Sequence, residues 1–334
     1  MVEGIREDAV SAWLANEIED LALPLEFELI AGGHSNLTYR FVDQNGRALV
    51  LRRPPLGHIL ESAHDMSREH RIITAVGKSN VPVPKTYALC EDKSVNDQPF
   101  YVMEFIEGIV PHTPEVLDEL SDEDRRSFGL HVIEVLADLH TTDIDVIGLG
   151  QLAKKEDYLG RQLKRWTQQW LATKTDEIPD MDRSLELLHA KKPVQIGATI
   201  VHGDYRVGNM LIKDGKMAAL LDWELCTLGD PLADVGYLLN TWAEPGDPSS
   251  DTAPTGIGGF PTRQELCDIY EDKTGRSLAE INYYRAFSHW RLAAISQGVY
   301  KRYLVGAMGH QEFDLDKYME GILSKAKATV RLLS

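Results

Sequence analysis

Apolar positions first recur with a helical period: over residues 5–20, Val10, Trp13, Leu14 and Ile18 fall on one face, which predicts a short amphipathic helix. The period then shortens. Residues 27–30, 38–42 and 48–52 are brief apolar or β-branched runs of the kind that form strands. The last two are separated by Asp43-Gln44-Asn45-Gly46, whose Asn-Gly pair is a strong hairpin signal. Between the first two lies the small, flexible turn Ala31-Gly32-Gly33-His34-Ser35-Asn36. A helix fits residues 62–77, before the Val81-Pro82-Val83-Pro84 break, and two more strands fit 85–90 and 100–105. The first third therefore reads as a mostly antiparallel sheet with one helix packed on it.

Beyond Pro111 the helical period dominates. Ser121 is placed to cap a helix running to about His140, with Leu130, Ile133, Leu136 and Ala137 at core spacing. Further helices fit 155–173, 181–191, 231–243, 263–273, 277–304 and 312–333. Strand signals interrupt them once, at 199–202 and then at 210–213 and 216–221 around an Asp214-Gly215 turn. Residues 245–261, rich in Gly, Pro, Ser and Thr, read as a long surface loop. No internal repeat interrupts this order.

Composition narrows the classes. With 334 residues, 43% hydrophobic and 26% charged, the chain is an ordinary globular one with one or two closely apposed domains. A formal charge of -17 repels phosphate backbones and anionic lipid, so neither nucleic acid nor a membrane is expected as a partner. An anionic ligand would need a locally basic pocket or a bound cation. Cys90, Cys226 and Cys267 are far apart and form no CxxC pair, which predicts buried thiols in a reducing compartment. The N-terminus is acidic without an apolar signal core and no uncharged run approaches a membrane span, so a cytoplasmic location is expected.

The densest chemistry lies in His202-Gly203-Asp204-Tyr205-Arg206-Val207-Gly208-Asn209. Asp204 and Asn209 stand in Asp-x4-Asn spacing, and Asn209 leads into the hairpin. Asp222 follows thirteen positions after Asn209, where the hairpin's second strand ends. Two polar residues at one end of a tight hairpin, facing a carboxylate on the preceding loop, can converge on one metal–phosphate site. Phosphoryl transfer needs a carboxylate to accept the attacking hydroxyl's proton, and oxygen ligands that hold magnesium against the polyphosphate.

This segment resembles the catalytic loop of the aminoglycoside phosphotransferase and choline kinase superfamily. The resemblance implies an α+β, two-lobed protein-kinase-like fold: an N-terminal nucleotide-binding lobe over 1–106 with an antiparallel sheet and a helix, and a larger, mainly helical catalytic and acceptor-binding lobe over 107–334. It implies ATP and Mg2+ as cofactors. It gives Asp204 the role of catalytic base, with Arg206 steadying the transferring phosphate. Asn209 and Asp222 become the magnesium ligands, with Glu224 a weaker candidate for assisting the metal. His202 and Gly203 shape the loop, and Asp234, in Gly229-Asp230-Pro231-Leu232-Ala233-Asp234, anchors it from below through hydrogen bonds.

On the nucleotide side the same resemblance places Gly33, Ser35 and Asn36 over the ATP phosphates, although the full G-x-G-x-x-G of protein kinases is absent. An arginine stands where the family usually carries a phosphate-pairing lysine. Strand alternation turns either Arg52 or Arg53 inward, and the alignment favours Arg52. Glu69 is placed to pair with it. Tyr101 to Gly108 resembles the hinge between lobes, with Met103 behind the adenine and the Glu104 and Ile106 backbones facing its edge.

The likeness runs from about residue 25 to 305 and is greatest to a kinase-like subgroup found alone in bacteria and fused to acyl-CoA dehydrogenases in animals. Val50-Leu51-Arg52-Arg53-Pro54-Pro55, Leu221-Asp222-Trp223-Glu224 and Trp290-Arg291-Leu292-Ala293-Ala294 carry it. That kinship implies a small-molecule acceptor of the hydroxyacyl-CoA type, held between the catalytic loop and the late helices, where His289, Trp290, Arg291, Gln297, Tyr300 and Arg302 share one predicted helix. A second copy of the chain, forming a homodimer, is the one macromolecular partner left open. Three competing readings are an aminoglycoside antibiotic kinase, a nucleotide-binding pseudokinase module, and a metal-dependent hydrolase, the last lacking enough His and Asp ligands at helical spacing.

Overall fold

A computed structural model describes residues 2–31, 36–56, 64–306 and 314–334. Helix α1 (Glu7–Glu17) precedes strands β1 (Glu26–Ala31), β2 (Leu37–Val42) and β3 (Ala48–Arg53). Then come α2 (Met66–Val76), β4 (Thr86–Cys90) and β5 (Phe100–Glu104). The five strands form one wholly antiparallel sheet in the order β1-β2-β3-β5-β4. At the β2–β3 turn, Asp43 Oδ1 accepts from the Asn45 and Arg47 backbone N–H groups and Gly46 takes a φ of +84°. The Asn-Gly signal marked that turn correctly.

Alternation along β3 divides the sheet's two faces. Leu49 and Leu51 join Tyr39, Phe41, Phe100 and Val102 in a core covered by Val10 and Leu14 of α1. Val50 instead joins Tyr101 and Met103 on the other face, packed with Ile72, Ile73 and Val76 of α2. Arg52 and Arg53 inherit this split. Arg52 faces the cleft, whereas Arg53 is buried on the α1 side, where Nη1 donates to the Gly4 carbonyl and to Asp97 at 2.8 Å.

The rest is mainly helical: α3 (Pro114–Leu117), α4 (Asp122–Thr141), α5 (Tyr158–Thr173) and α6 (Pro179–Ala190). After strands β6 (Thr199–Val201), β7 (Met210–Lys213), β8 (Lys216–Leu220) and β9 (Thr227–Gly229) come α7 (Leu232–Thr241), α8 (Arg263–Thr274), α9 (Ile281–Leu304) and α10 (Leu315–Leu333). Ser121 caps α4 by accepting from the Asp124 N–H at 3.1 Å, as its sequence position foretold. On α5, Leu159, Leu163, Trp166 and Trp170 share the buried face. Each such side chain withdrawn from water contributes about 1.5–3 kcal/mol. The long helix α9 packs on α5, α7 and α10. Thr262 and Glu265 form a reciprocal capping box at the start of α8.

β7 and β8 form the expected hairpin, with Asp214 and Gly215 both at positive φ (52° and 65°) as a primed turn requires. The segment around 199–202, read as part of that hairpin region, pairs instead with β9. The two small sheets flank the loop from His202 to Asn209. An isolated bridge from Ile109 to Ile212 ties the segment after β5 to the hairpin, and Gly108 permits it: a Cβ there would lie 2.8 Å from the Ile212 carbonyl oxygen. Among the described residues no helix is long and apolar enough to cross a membrane. Cys90 and Cys226 are buried, Cys267 is half-buried, and all three are free thiols.

Candidate active site

The loop from His202 to Asn209 is held from below. Asp234, in the first turn of α7, accepts from the backbone N–H groups of His202 (2.6 Å) and Gly203 (2.9 Å), with the His140 Nε2 at 3.4 Å. Burial works against its charge, but His140, His202 and the Gly203 N–H outweigh burial and hold its carboxyl below the usual range. Gly203 sits at a φ of +86°, and a Cβ there would lie 2.9 Å from the Leu225 carbonyl oxygen. His202 locks the loop to the hairpin. Its Nδ1 accepts from the Asp204 N–H at 3.3 Å, so its Nε2 carries the proton donated to the Leu221 carbonyl at 3.0 Å. Trp223 meets the same ring edge-on at 4.8 Å. The loop-shaping expectation for His202, Gly203 and Asp234 matches this geometry.

These restraints fix Asp204 with its carboxylate surrounded by donors. Asn209 Nδ2 donates to Asp204 Oδ2 at 2.7 Å and to its backbone carbonyl at 2.9 Å. Arg206 Nε lies 3.4 Å from the same Oδ2, and the Tyr237 hydroxyl donates to Oδ1. With its amide hydrogens spent on Asp204, Asn209 keeps its carbonyl oxygen for a cation. The Asn209 backbone carbonyl accepts from the Leu221 N–H at 2.8 Å, which sets Asp222 beside it. Asp222 adopts the left-handed region (φ 64°, ψ 67°), at a cost of about 1–3 kcal/mol for a non-glycine residue.

Across the cleft, Arg52 joins the lobes. Its Nη2 donates to Asp222 Oδ1 at 2.7 Å and its Nε lies 3.0 Å from Glu69 Oε1. Burial opposes its charge, yet Glu69, Tyr101 and Asp222 outweigh burial and keep the guanidinium protonated. Glu69 is only 3% exposed and is further held by the Tyr101 hydroxyl (3.1 Å) and Asn36 Nδ2 (3.3 Å).

Arg52, Met103, Glu104, Ile106, Asn209 and Asp222 all line one cavity of about 420 Å³ between the sheet and the hairpin. Val50, Ile73, Leu211 and Leu220 give it apolar walls. The Ile106 N–H, beside this cavity, has no backbone partner among the described residues. Of the residues singled out in the sequence, Arg52, Glu69, Met103, Glu104, Ile106, Asn209 and Asp222 line this pocket, whereas Asp204 and Arg206 do not.

Two expectations turn out differently, and one falls outside the described residues. Gly33 and Ser35 lie outside the described residues. Asn36 is turned away from the first pocket: its Nδ2 donates to Glu69 and its Oδ1 contacts His64 Nδ1 at 2.8 Å, so the side chain belongs to the Arg52–Glu69 network. Glu224 lines a second cavity on the far side of Glu69, away from the pocket holding Asn209 and Asp222, because the turn of Trp223–Leu225 after the positive-φ Asp222 carries it there. Tyr237 was missed. Its only signal was its place one helical turn after Asp234, on the same face of α7.

Comparison with known proteins agrees with the fold. The sequence profile of the phosphotransferase enzyme family matches residues 26–258. The chain is 39% identical over 293 residues to acyl-CoA dehydrogenase family member 10 of Mus musculus, covering 85% of this chain and 27% of that protein. It is 33% identical to acyl-CoA dehydrogenase family member 11 of Homo sapiens, covering 82% and 36%. It therefore spans about a quarter to two fifths of the length of the curated relatives it matches. A crystal structure from Ralstonia eutropha, of a protein provisionally described as an aminoglycoside phosphotransferase, superposes with a TM-score of 0.83 at 33% identity over 98% of this chain and 97% of that one. The aminoglycoside phosphotransferase APH(4)-Ia, in a ternary complex with AMP-PNP and hygromycin B, shares the fold at 16% identity with a TM-score of 0.64, covering 97% and 98%.

Proposed function

The chain belongs to the phosphotransferase enzyme family, and on that premise we propose that it moves the γ-phosphate of ATP to a hydroxyl group of a small molecule. The observation that carries the reading is Asp204, whose carboxylate is oriented by Asn209, Arg206 and Tyr237, with Asn209 itself lining the pocket that presents Asp222. The acceptor's hydroxyl gives its proton to Asp204 as its oxygen bonds to the γ-phosphorus. The bond from that phosphorus to the β–γ bridging oxygen breaks, and ADP leaves. A positioned base of this kind contributes about 10²- to 10⁴-fold.

The donor set suits magnesium. That ion takes one or two protein oxygens and completes its shell with water and substrate phosphates. Asn209 and Asp222 would hold it, and when bound it would neutralise charge on the transferring phosphate. Among the described residues no group of three or more His, Cys, Asp and Glu could hold a metal unaided, which disfavours the hydrolase reading. In the nucleotide pocket Arg52 stands in for the usual lysine. Its charge, its pairing with Glu69 and its reach to Asp222 support an active site over a pseudokinase module.

For the acceptor we favour a hydroxyacyl-CoA-type metabolite over an antibiotic, since the matched portions belong to acyl-CoA dehydrogenase family members. The test is incubation with ATP, magnesium and a panel of hydroxyacyl thioesters, amino alcohols and hygromycin B, with product detection by mass spectrometry. A phosphorylated thioester formed by the wild type and absent with Asp204→Asn supports the reading. Phosphorylation of hygromycin B alone overturns the acceptor assignment, and no phosphorylated product with any acceptor overturns the transfer reading.

A further inference from the structure

Behind Glu69 and the catalytic loop lies a second recess of about 580 Å³, larger than the nucleotide pocket. Its wall gathers four arginines from three helices: Arg68 of α2, Arg165 of α5, and Arg291 and Arg302 of α9. In a chain with 52 acidic and 35 basic residues, such a gathering runs against the overall field. Three carboxylates share the wall. Asp65 is engaged in capping α2 through the Arg68 N–H (2.9 Å), Glu69 is paired with Arg52, and Glu224, the third, is likewise engaged.

The arginines fall into two kinds. Arg68 braces the floor by donating Nη2 to the Cys226 carbonyl at 2.6 Å, and Arg291 donates Nη2 to the Gly203 carbonyl. The Arg291 Nε is buried and has no hydrogen-bond partner. Arg165 and Arg302 form no ion pair with any described residue, and both are exposed at the mouth. The Arg165 guanidinium lies 5.0 Å from the Trp166 ring centroid, which fixes it without neutralising it. Guanidinium groups converging on one recess repel one another unless an anion lies between them, and their fork geometry matches phosphate and carboxylate oxygens.

The recess also touches the chemistry. Gly203, which precedes Asp204, lines it, and Glu69 lines both cavities. Building on the phosphotransferase reading of the neighbouring pocket, we propose that this recess is an anion-binding subsite that anchors the acceptor through a phosphate or carboxylate group remote from the hydroxyl to be phosphorylated. Arg165 and Arg302 seize the anion, Arg68 and Arg291 shape the floor, and Trp166 and Tyr158 flank the portion between anion and hydroxyl. A polycationic acceptor is excluded by the same charges.

The experiment uses the whole chain saturated with AMP-PNP and magnesium, titrated calorimetrically with inorganic phosphate, malonate and hygromycin B. The comparison protein is the double variant Arg165→Gln, Arg302→Gln, whose changes are exposed. The expected result is binding of one or both anions to the wild type, weakened at least about tenfold in the double variant, with AMP-PNP affinity unchanged. A preference for phosphate assigns a phosphate-bearing acceptor, and a preference for malonate a carboxylate-bearing one. Equal anion binding by wild type and variant, no anion binding, or binding of hygromycin B overturns the subsite while leaving the nucleotide pocket intact. Failure to bind AMP-PNP at all overturns the phosphotransferase reading and this inference with it.

Discussion

Tyr237 donates its phenolic hydrogen to Oδ1 of Asp204, while one helical turn earlier on α7 Asp234 holds the backbone of the same loop. A single helix face thus sets both the height of the loop and the orientation of its carboxylate. Burial, followed by the Asp204 charge, pushes the Tyr237 phenol well above its ordinary pKa, so it stays a donor throughout the physiological range. Arg291 covers the other side of the ring, 5.4 Å from its centroid.

Tyr237→Phe keeps the ring and its packing and removes only the donor. A hydrogen bond to a charged group is worth about 1.5–3 kcal/mol, so kcat should fall about tenfold or more with the KM for ATP held within about twofold. Steady-state kinetics on the purified variant decide it. An unchanged kcat would assign the hydroxyl a purely structural place.

Asp204→Asn should remove about 10²- to 10⁴-fold of the turnover while nucleotide binding stays nearly intact, because Asp204 makes no contact with Arg52 or the hinge. Calorimetric ATP binding beside a transfer assay separates the two effects. A variant retaining most wild-type turnover would remove Asp204 from the base role.

Arg52 balances Glu69 inside the protein, so its deletion exposes a buried, uncompensated carboxylate. Arg52→Ala should destabilise the fold by about 3–5 kcal/mol in urea unfolding and weaken ATP binding as well. Arg52→Lys keeps a charge but not the fork that reaches Glu69 and Asp222 together, so its stability should lie between the two. Lysine performing as well as arginine in both measurements would show that bridging is dispensable.

Much of this site was legible because its chemistry is local. Asp204, Asn209 and Asp222 sit at fixed spacings around one hairpin, and the Asp214-Gly215 turn fixes how that hairpin closes. The sheet was equally plain, since period-two runs and an Asn-Gly turn leave few alternatives for β2 and β3. What escaped depends on distant partners. β9 has three residues and acquires its identity only by pairing with β6, the run at 199–202 that the sequence did mark as a strand. Tyr237 is one aromatic among the apolar residues of α7, and nothing in its neighbours reveals that a loop some thirty residues earlier supplies its acceptor. Asn36 read as a phosphate contact because the turn before it is glycine-rich, whereas Glu69, thirty-three positions away, captures its amide. The four arginines of the second recess come from three separate helices, so no window of sequence shows them as a cluster.

His289 supplies a pH test. Burial, together with Arg285, Lys325 and Arg331, pushes its imidazole down to about 4. The unfolded chain, with an ordinary histidine near 6.5, takes up the proton first as pH falls. The neutral ring's contribution is therefore complete above about pH 7, is lost from about 6.5 downward, and stops changing below about 4. At pH 5 the loss amounts to about 2 kcal/mol. His289→Gln should narrow the gap in stability between pH 7.5 and pH 5 by about that amount in urea unfolding, and an identical gap would mean that other groups carry the acid sensitivity.

The most direct test of the central claim is the melting temperature of the purified protein with ATP, with and without magnesium, alongside Asp222→Ala. A ligand that binds only the native state must raise it, by about 2.7 kcal/mol of stabilisation at a concentration one hundred times its dissociation constant. The account predicts a rise with ATP that depends on magnesium and disappears in Asp222→Ala. No rise at millimolar nucleotide, or the same rise in wild type and variant, would contradict it.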